Sequence, residues 1–210
     1  RLKAIPAHQK PPMSAVLPSY TDLHAALARA GTGLFDTARH PAHGGGVSQS
    51  LLFHRPVAVH AAYTTADVRD VLNAVEQEVK RGRFAAGYLD YEAGYAFETW
   101  PLFARANAPL IWFGIYDRVH PVADSTLEGF FRTLSPTPFA IDPPAFSFSE
   151  STYGGRIARI KEYIQNGDVY QINFTGAMDF GYQGDPLQIY RMLRQRQRVT
   201  YGGYLSDQAG

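Results

Sequence analysis

The sequence contains no cysteine, which excludes a disulfide framework, a thiolate zinc site and a cysteine nucleophile together. It also has almost no charge imbalance: 20 Lys and Arg stand against 19 Asp and Glu, a formal net charge of +1. Nucleic-acid binding needs a clustered basic face, and the nearest approach to one is Arg191, Arg194, Arg196 and Arg198. These four read as the solvated end of a helix, where cations are favoured, so no nucleic-acid partner is expected. No apolar run approaches the ~20 residues that span a bilayer, and no apolar signal core opens the chain. The expectation is a cytoplasmic protein with no membrane partner. Histidine is sparse. His40 and His43 bracket Pro41 and Ala42, but the proline and the run Gly44, Gly45 and Gly46 make that segment a loop. No metal site is therefore expected in the chain. Glycine-rich phosphate loops and a Gly-x-Ser-x-Gly elbow are absent as well, which removes support for nucleotide folds and serine hydrolases.

What remains is an ordinary core-forming composition, 45% hydrophobic and 13% aromatic over 210 residues. Residues 1–12 are polar and carry Pro6, Pro11 and Pro12. They read as a leader or a remnant, with Met13 as a candidate start. Residues 13–121 form an amino-terminal region. Residues 122–149, with Pro136, Pro138, Pro143 and Pro144, read as a connection, and residues 150–210 open a second region. Strands are expected at 34–37 and 51–60, the second interrupted by Pro56. Behind Thr65, a candidate N-cap, Val68, Val71, Leu72, Val75 and Val79 recur at helical spacing as far as Gly82. Aromatic-rich strands follow at 84–91 and 110–116. A second helix over 153–165 carries Ile157, Ile160 and Ile164 on one face. A strand over 169–174, a helix over 186–196 opened by Pro186 and a strand over 201–205 complete the order. Residues 206–210 read as a turn with no returning strand, so the chain is expected to continue. Runs of strands rather than strict alternation with helices point to an α+β fold, a layered antiparallel-rich sheet with packed helices.

Two segments carry candidate chemistry. Read as a strand, residues 169–175 put Gln171, Asn173 and Thr175 on one face, opposite Tyr170, Ile172 and Phe174. Side-chain amides are costly to bury unless hydrogen-bonded. This face is either a polar floor beside a pocket or, more simply, a network tying the strand to neighbouring loops. In the second segment Asp90, Glu92 and Glu98 suggest paired carboxylates. Asp90 and Glu92 would share a strand face with no partner base, and aromatic packing is the simpler account. His54 and His60 read as strand histidines. From residue chemistry alone the sequence is an α+β domain with aromatic sheet strands, and it shows no catalytic constellation.

A resemblance adds to this. Residues 85–98, AAGYLDYEAGYAFE, followed by 109–117, PLIWFGIYD, resemble paired strands in the amino-terminal region of the aminodeoxychorismate (para-aminobenzoate) synthase component I family. Residues 153–175, YGGRIARIKEYIQNGDVYQINFT, resemble the helix and strand that open the chorismate-binding domain. That domain is shared with anthranilate synthase component I and the isochorismate synthases. Residues 34–39 and 50–53 resemble the opening of component I proteins often fused to an aminodeoxychorismate lyase domain. The resemblance implies a two-layer α/β sandwich and replacement of the 4-hydroxyl of chorismate by ammonia, in a transferase of folate biosynthesis. It further implies Mg²⁺ as cofactor and a separate or fused glutamine amidotransferase as partner. The family's catalytic lysine, metal-holding glutamates and carboxylate-binding arginine match no position here, so the fragment alone is expected to be inactive. Relatives that hold tryptophan between these strands imply effector-binding candidates at Asp36, Thr37, Ser50, Thr200, Tyr201 and Gly202. At Asp36 and Thr37 many relatives have glutamate and serine, and at Thr200 often proline. A non-catalytic module binding aromatic amino acids, an anthranilate or isochorismate synthase relative, and an ordinary packed inter-strand core remain the competing readings.

Overall fold

The structure, a computed structural model, describes residues 20–38, 49–98 and 108–207. The leader segment, His40, His43 and the triple glycine lie outside the described residues. The chain divides into two compact units, residues 1–135 with 190–210, and residues 136–189.

In the first unit α1 (Tyr20–Leu27) leads into β1 (Thr32–Asp36), β2 (Ser50–Phe53) and β3 (Ala58–Ala62). Then come α2 (Val68–Lys80), β4 (Phe84–Leu89), a 3-10 helix (Tyr91–Phe97), β5 (Ile111–Tyr116), β6 (His120–Val122) and α3 (Asp124–Thr133). Strand β11 (Gly202–Ser206) returns to this unit, and one sheet has the order β11-β1-β2-β6. The other has the order β3-β5-β4, and the pairings in both are antiparallel. The α+β reading holds. Pro56 does divide the expected strand over 51–60, and its two halves join different sheets.

Helix α2 buries Val68 and Val75 and packs Val71 and Leu72 with Ala62, Ala93, Leu110, Ile111 and Phe113, on one face of the three-stranded sheet. Each fully buried aliphatic side chain contributes about 1.5–3 kcal/mol, so this face is a principal source of stability. Ala86 and Tyr116 point the other way, into a cluster with Phe53, Val119, Phe35 and Leu51. The order is therefore helix, sheet, sheet. Helix α2 begins later than expected: Asp67 stands at its N-cap, and Thr64, not Thr65, hydrogen-bonds the Asp67 carboxylate at 2.6 Å. Burial pushes the Tyr116 phenol up to about 12. Its hydroxyl donates to the Gly31 carbonyl at 3.0 Å. Gly31 has φ +76°, and a Cβ there would lie 2.6 Å from the Pro56 ring, so the turn into β1 is restricted to glycine on both counts.

Residues 124–133, expected as part of a proline-rich connection, form α3, with Leu127, Phe130 and Phe131 buried. The prolines that set that expectation lie after residue 135, so they do not interrupt the helix.

The second unit contains β7 (Ala140–Ile141), β8 (Ala145–Phe146), α4 (Glu150–Gln165), β9 (Met178–Asp179) and β10 (Tyr182–Gln183). Its ladders, β7 with β10 and β8 with β9, are two residues long. Helix α4 starts earlier than expected because the Ser149 side chain accepts from the Thr152 amide at 3.2 Å and caps it. Helix α5 (Pro186–Arg196) opens in this unit, and the first unit takes over from Tyr190. The expected strand over 169–174 does not form. A strand needs a neighbour for its amides and carbonyls, and among the described residues this segment pairs with none. No helix among the described residues is long and apolar enough to cross a membrane.

Candidate functional site

Strand β1 lies between β2 and β11, which places its last residue at the centre of a polar row. Asp36 is opposite Gly202 on one side. On the other it falls one step past the Phe35–Leu51 pair, beside Ser50. Asp36, Thr37 and Ser50 are all buried, Asp36 to 3% exposure. The Ser50 hydroxyl donates to Asp36 Oδ1 at 3.1 Å and accepts from the Thr37 amide at 3.0 Å. Four of the six effector candidates thus come together, counting Gly202. The other two do not join them: Thr200 is half-buried ahead of β11, and Tyr201 is 89% exposed.

Three residues that the sequence reading did not place here complete the row. Tyr190 and Arg194 stand one helical turn apart on α5, so both face the same strand end. The Tyr190 hydroxyl donates to Asp36 Oδ2 at 2.9 Å, and Arg194 Nε donates to the same oxygen at 2.6 Å. Arg194 Nη2 reaches Asp36 Oδ1 at 3.4 Å and also binds the Asp124 carboxylate, in the first turn of α3. Burial, then the Asp36 charge, pushes the Tyr190 phenol well above its usual range, so it is a donor at any ordinary pH. The Phe131 ring centroid lies 5.5 Å from the guanidinium carbon of Arg194.

The expectation of a solvated arginine cluster is therefore corrected at Arg194, while Arg196 and Arg198 are exposed. Arg194 is 8% exposed, because two carboxylates and a hydroxyl converge where α5 meets β1. Arg191 donates to the Leu134 carbonyl at 3.0 Å, and Arg198 pairs with Glu128 at 2.7 Å. A signal for Arg194 was legible in the i, i+4 spacing of Tyr190 and Arg194. None existed for Asp124 while α3 was unread.

The aromatic segment after β4 behaves differently from its expected strand. Ladder pairing ends at Leu89, opposite Ile111. Asp90 Oδ1 then accepts from the Tyr91 amide at 2.7 Å and caps the 3-10 helix. Asp90 and Glu92 consequently do not share a strand face. A cavity of about 510 Å³ is lined by Tyr91, Gly94, Tyr95 and Glu98. Arg69 covers the neighbouring Phe97 ring at 4.4 Å.

Gln171 and Asn173 are exposed. The Gln171 amide donates to Asn173 Oδ1 at 3.4 Å, so the pair shares a side without belonging to a ladder. His54 lies just past β2, its ring 4.8 Å from that of His120, and His60 sits in β3. Among the described residues no group of three or more His, Cys, Asp or Glu is placed to hold a metal ion. Buried Asp36 and half-buried Asp124 are both already paired with Arg194. These residues do not fit a divalent-cation site.

Comparison with known proteins adds the following. The sequence model of the chorismate binding enzyme family matches residues 35–210. Aminodeoxychorismate synthase component 1 of Klebsiella aerogenes is 28% identical over 142 residues, 58% of this chain and 31% of that protein. The protein of the same name from Escherichia coli (strain K12) is 28% identical over 145 residues, 60% of this chain and 32% of that one. The Bacillus subtilis (strain 168) protein of that name is 34% identical over 61 residues, 29% of this chain and 13% of its own length. The chain thus spans about a third of the length of the first two curated relatives.

Proposed function

The chain belongs to the chorismate binding enzyme family, and from that premise we propose that it is part of a component I of aminodeoxychorismate synthase. The reaction proposed for the whole protein is amination of chorismate to 4-amino-4-deoxychorismate, on the route to para-aminobenzoate and folate. The observation that carries this reading is the shared name of relatives from Klebsiella, Escherichia and Bacillus, which align with this chain at 28–34% identity. In balance the reaction forms a C–N bond from ammonia and releases the 4-hydroxyl of chorismate as water. A glutamine amidotransferase supplies the ammonia, and a fused lyase domain is a further expectation for the whole protein.

The family's magnesium would assist departure of the hydroxyl. The described residues offer it no ligand set. The role proposed for this chain's own residues is architectural. Two packed sheets and α2 form a rigid layer, and the Asp36–Arg194 network fixes the end of α5 to that layer.

The test is product identity. The 210-residue chain, given chorismate, ammonia and Mg²⁺, should yield no product by liquid chromatography and mass spectrometry. The protein at its natural length should yield aminodeoxychorismate, and with glutamine as nitrogen donor only when the amidotransferase is present. Anthranilate or isochorismate as product would assign it to a sister branch. Turnover by the chain alone would overturn the architectural role.

A further inference from the structure

Residues 84–98 contain Asp90, Glu92 and Glu98 and neither Lys nor Arg, so the 3-10 helix that follows β4 lies in a stretch of one sign, a setting that draws cations. In such a helix side chains three residues apart lie over one another. Gly94 therefore stands above Tyr91, and Glu98, at the C-cap, stands above Tyr95. The two tyrosine rings meet edge to face, with centroids 6.3 Å apart and planes at 90°, which makes a corner and not a stack. The cavity of about 510 Å³ opens in that corner, a volume within the range of small-molecule sites.

Nothing in the fold calls for glycine at position 94. Its φ is not positive, and a Cβ there would meet no atom within 4 Å. Glycine inside a helix is destabilising relative to alanine, and what it leaves here is open space between two tyrosines and an acid. Among the described residues, neither tyrosine hydroxyl nor the Glu98 carboxylate has a hydrogen-bond partner. Tyr91 is 84% exposed, so its ring faces solvent instead of filling a core. Phe97, on the same helix, holds the Arg69 guanidinium 4.4 Å from its ring centroid. No cation of the described residues covers Tyr91 or Tyr95 in the same way.

We propose that Tyr91, Gly94, Tyr95 and Glu98 form a binding site for a small molecule that bears a guanidinium group. The planar cation lies on a tyrosine face and turns its fork of N–H groups to the Glu98 carboxylate, which joins ring and carboxylate recognition in one ligand. A primary ammonium pairs with the carboxylate but is too compact to stack. A quaternary ammonium sits on the ring and has no N–H to donate. The site shares no residue with the Asp36 network. It is independent of the reaction proposed above, and its test uses no chorismate.

The experiment is calorimetric titration of the natural-length protein with butylguanidinium chloride, at an ionic strength held constant with sodium chloride. Saturable binding with a Kd on the order of 1 mM is expected. Butylammonium and tetramethylammonium should each bind at least about threefold more weakly. Glu98→Gln keeps the shape of the side chain and removes its charge, and should weaken butylguanidinium about tenfold. Gly94→Leu fills the corner and should abolish the binding heat without lowering the melting temperature. Should Gly94→Leu destabilise the protein, Tyr91→Ala removes an exposed ring instead and should weaken binding about fivefold. Heat that does not saturate at roughly ten times the expected Kd overturns the proposal. So does undiminished affinity in Glu98→Gln, or in a folded Gly94→Leu or Tyr91→Ala variant. Tetramethylammonium or butylammonium binding as tightly as butylguanidinium overturns the assignment to a guanidinium.

Discussion

Arg194 takes a permanent charge into the interior of the first unit, and a buried charge is tolerated only where its partners are complete. Its two acids are not equivalent. The Asp36 side chain is 2% exposed and accepts two contacts from the guanidinium, whereas that of Asp124 is 20% exposed and accepts one. Asp36→Asn should therefore cost about 3 kcal/mol, because it leaves a buried guanidinium undercompensated. Asp124→Asn should cost about 1 kcal/mol, since Asp36 still holds Arg194 and water reaches the rim. Urea midpoints at pH 7.5 check the order, and equal losses would show that the pairing with Asp36 is not the dominant one. At this scale the sequence was half legible. Asp36, Thr37 and Ser50 could be grouped from resemblance, and β-pairing does bring them together. The i, i+4 spacing puts Tyr190 and Arg194 on one helix face, but that this face is the buried one depends on where the end of α5 lands in three dimensions.

Between elements, the edge strand β6 lies against β2 with Leu52 opposite His120, which brings the His54 and His120 rings to 4.8 Å. Burial lowers the His54 pKa first, followed by the charges of His120, Arg55 and Arg29. The sign follows directly. The folded protein resists a proton that the unfolded chain accepts near the ordinary value of 6.5, so the contribution of neutral His54 is present above that pH. It is lost as pH falls through the depressed folded value. His54→Phe keeps an aromatic ring against His120 and removes the titration. Its urea midpoint should fall less than the parent's between pH 7.5 and pH 5, and parallel profiles would remove His54 from the account. Elements were read from the sequence unevenly, for physical reasons. The heptad-like valines of α2 and Pro186 of α5 signal helices through local spacing alone. Leu127, Phe130 and Phe131 of α3, with Leu134 at its C-cap, have the same spacing, but a composition averaged over 122–149 let the later prolines mask them. The segment 169–174 has strand-like alternation, yet alternation states which face a strand would present and not whether a partner is beside it.

Across the whole molecule, apolar burial is concentrated in the first unit, and the two units should differ accordingly in local stability. Helix α2 has thirteen residues, two of them buried and two more packed on the three-stranded sheet. Helix α4 has sixteen residues and buries none of them. Its apolar side chains are half covered at Ile157 and Ile160 and 42% exposed at Ile164. Near its start, Tyr153 joins Phe148 and Phe174 in a ring cluster, which holds that end. Gly154 and Gly155 lie inside the helix, each costing about 1 kcal/mol relative to alanine. A helix of this length without tertiary burial is marginal in water, so α4 draws its stability from the Ser149 cap, the ring cluster and exposed pairs such as Arg159 with Glu162. Exposed pairs of that kind contribute only a few tenths of a kcal/mol. Amide hydrogen exchange on the 210-residue chain should therefore show β5 and the buried turns of α2 exchanging slowest. The amides of residues 157–165 should exchange faster by at least about two orders of magnitude, because opening α4 uncovers little apolar surface. Equal protection of α2 and α4 would mean that the face carrying Ile157, Ile160 and Ile164 is covered in solution. Natural-length protein compared residue by residue with the 210-residue chain would then locate the cover, since protection gained only at natural length comes from outside these residues.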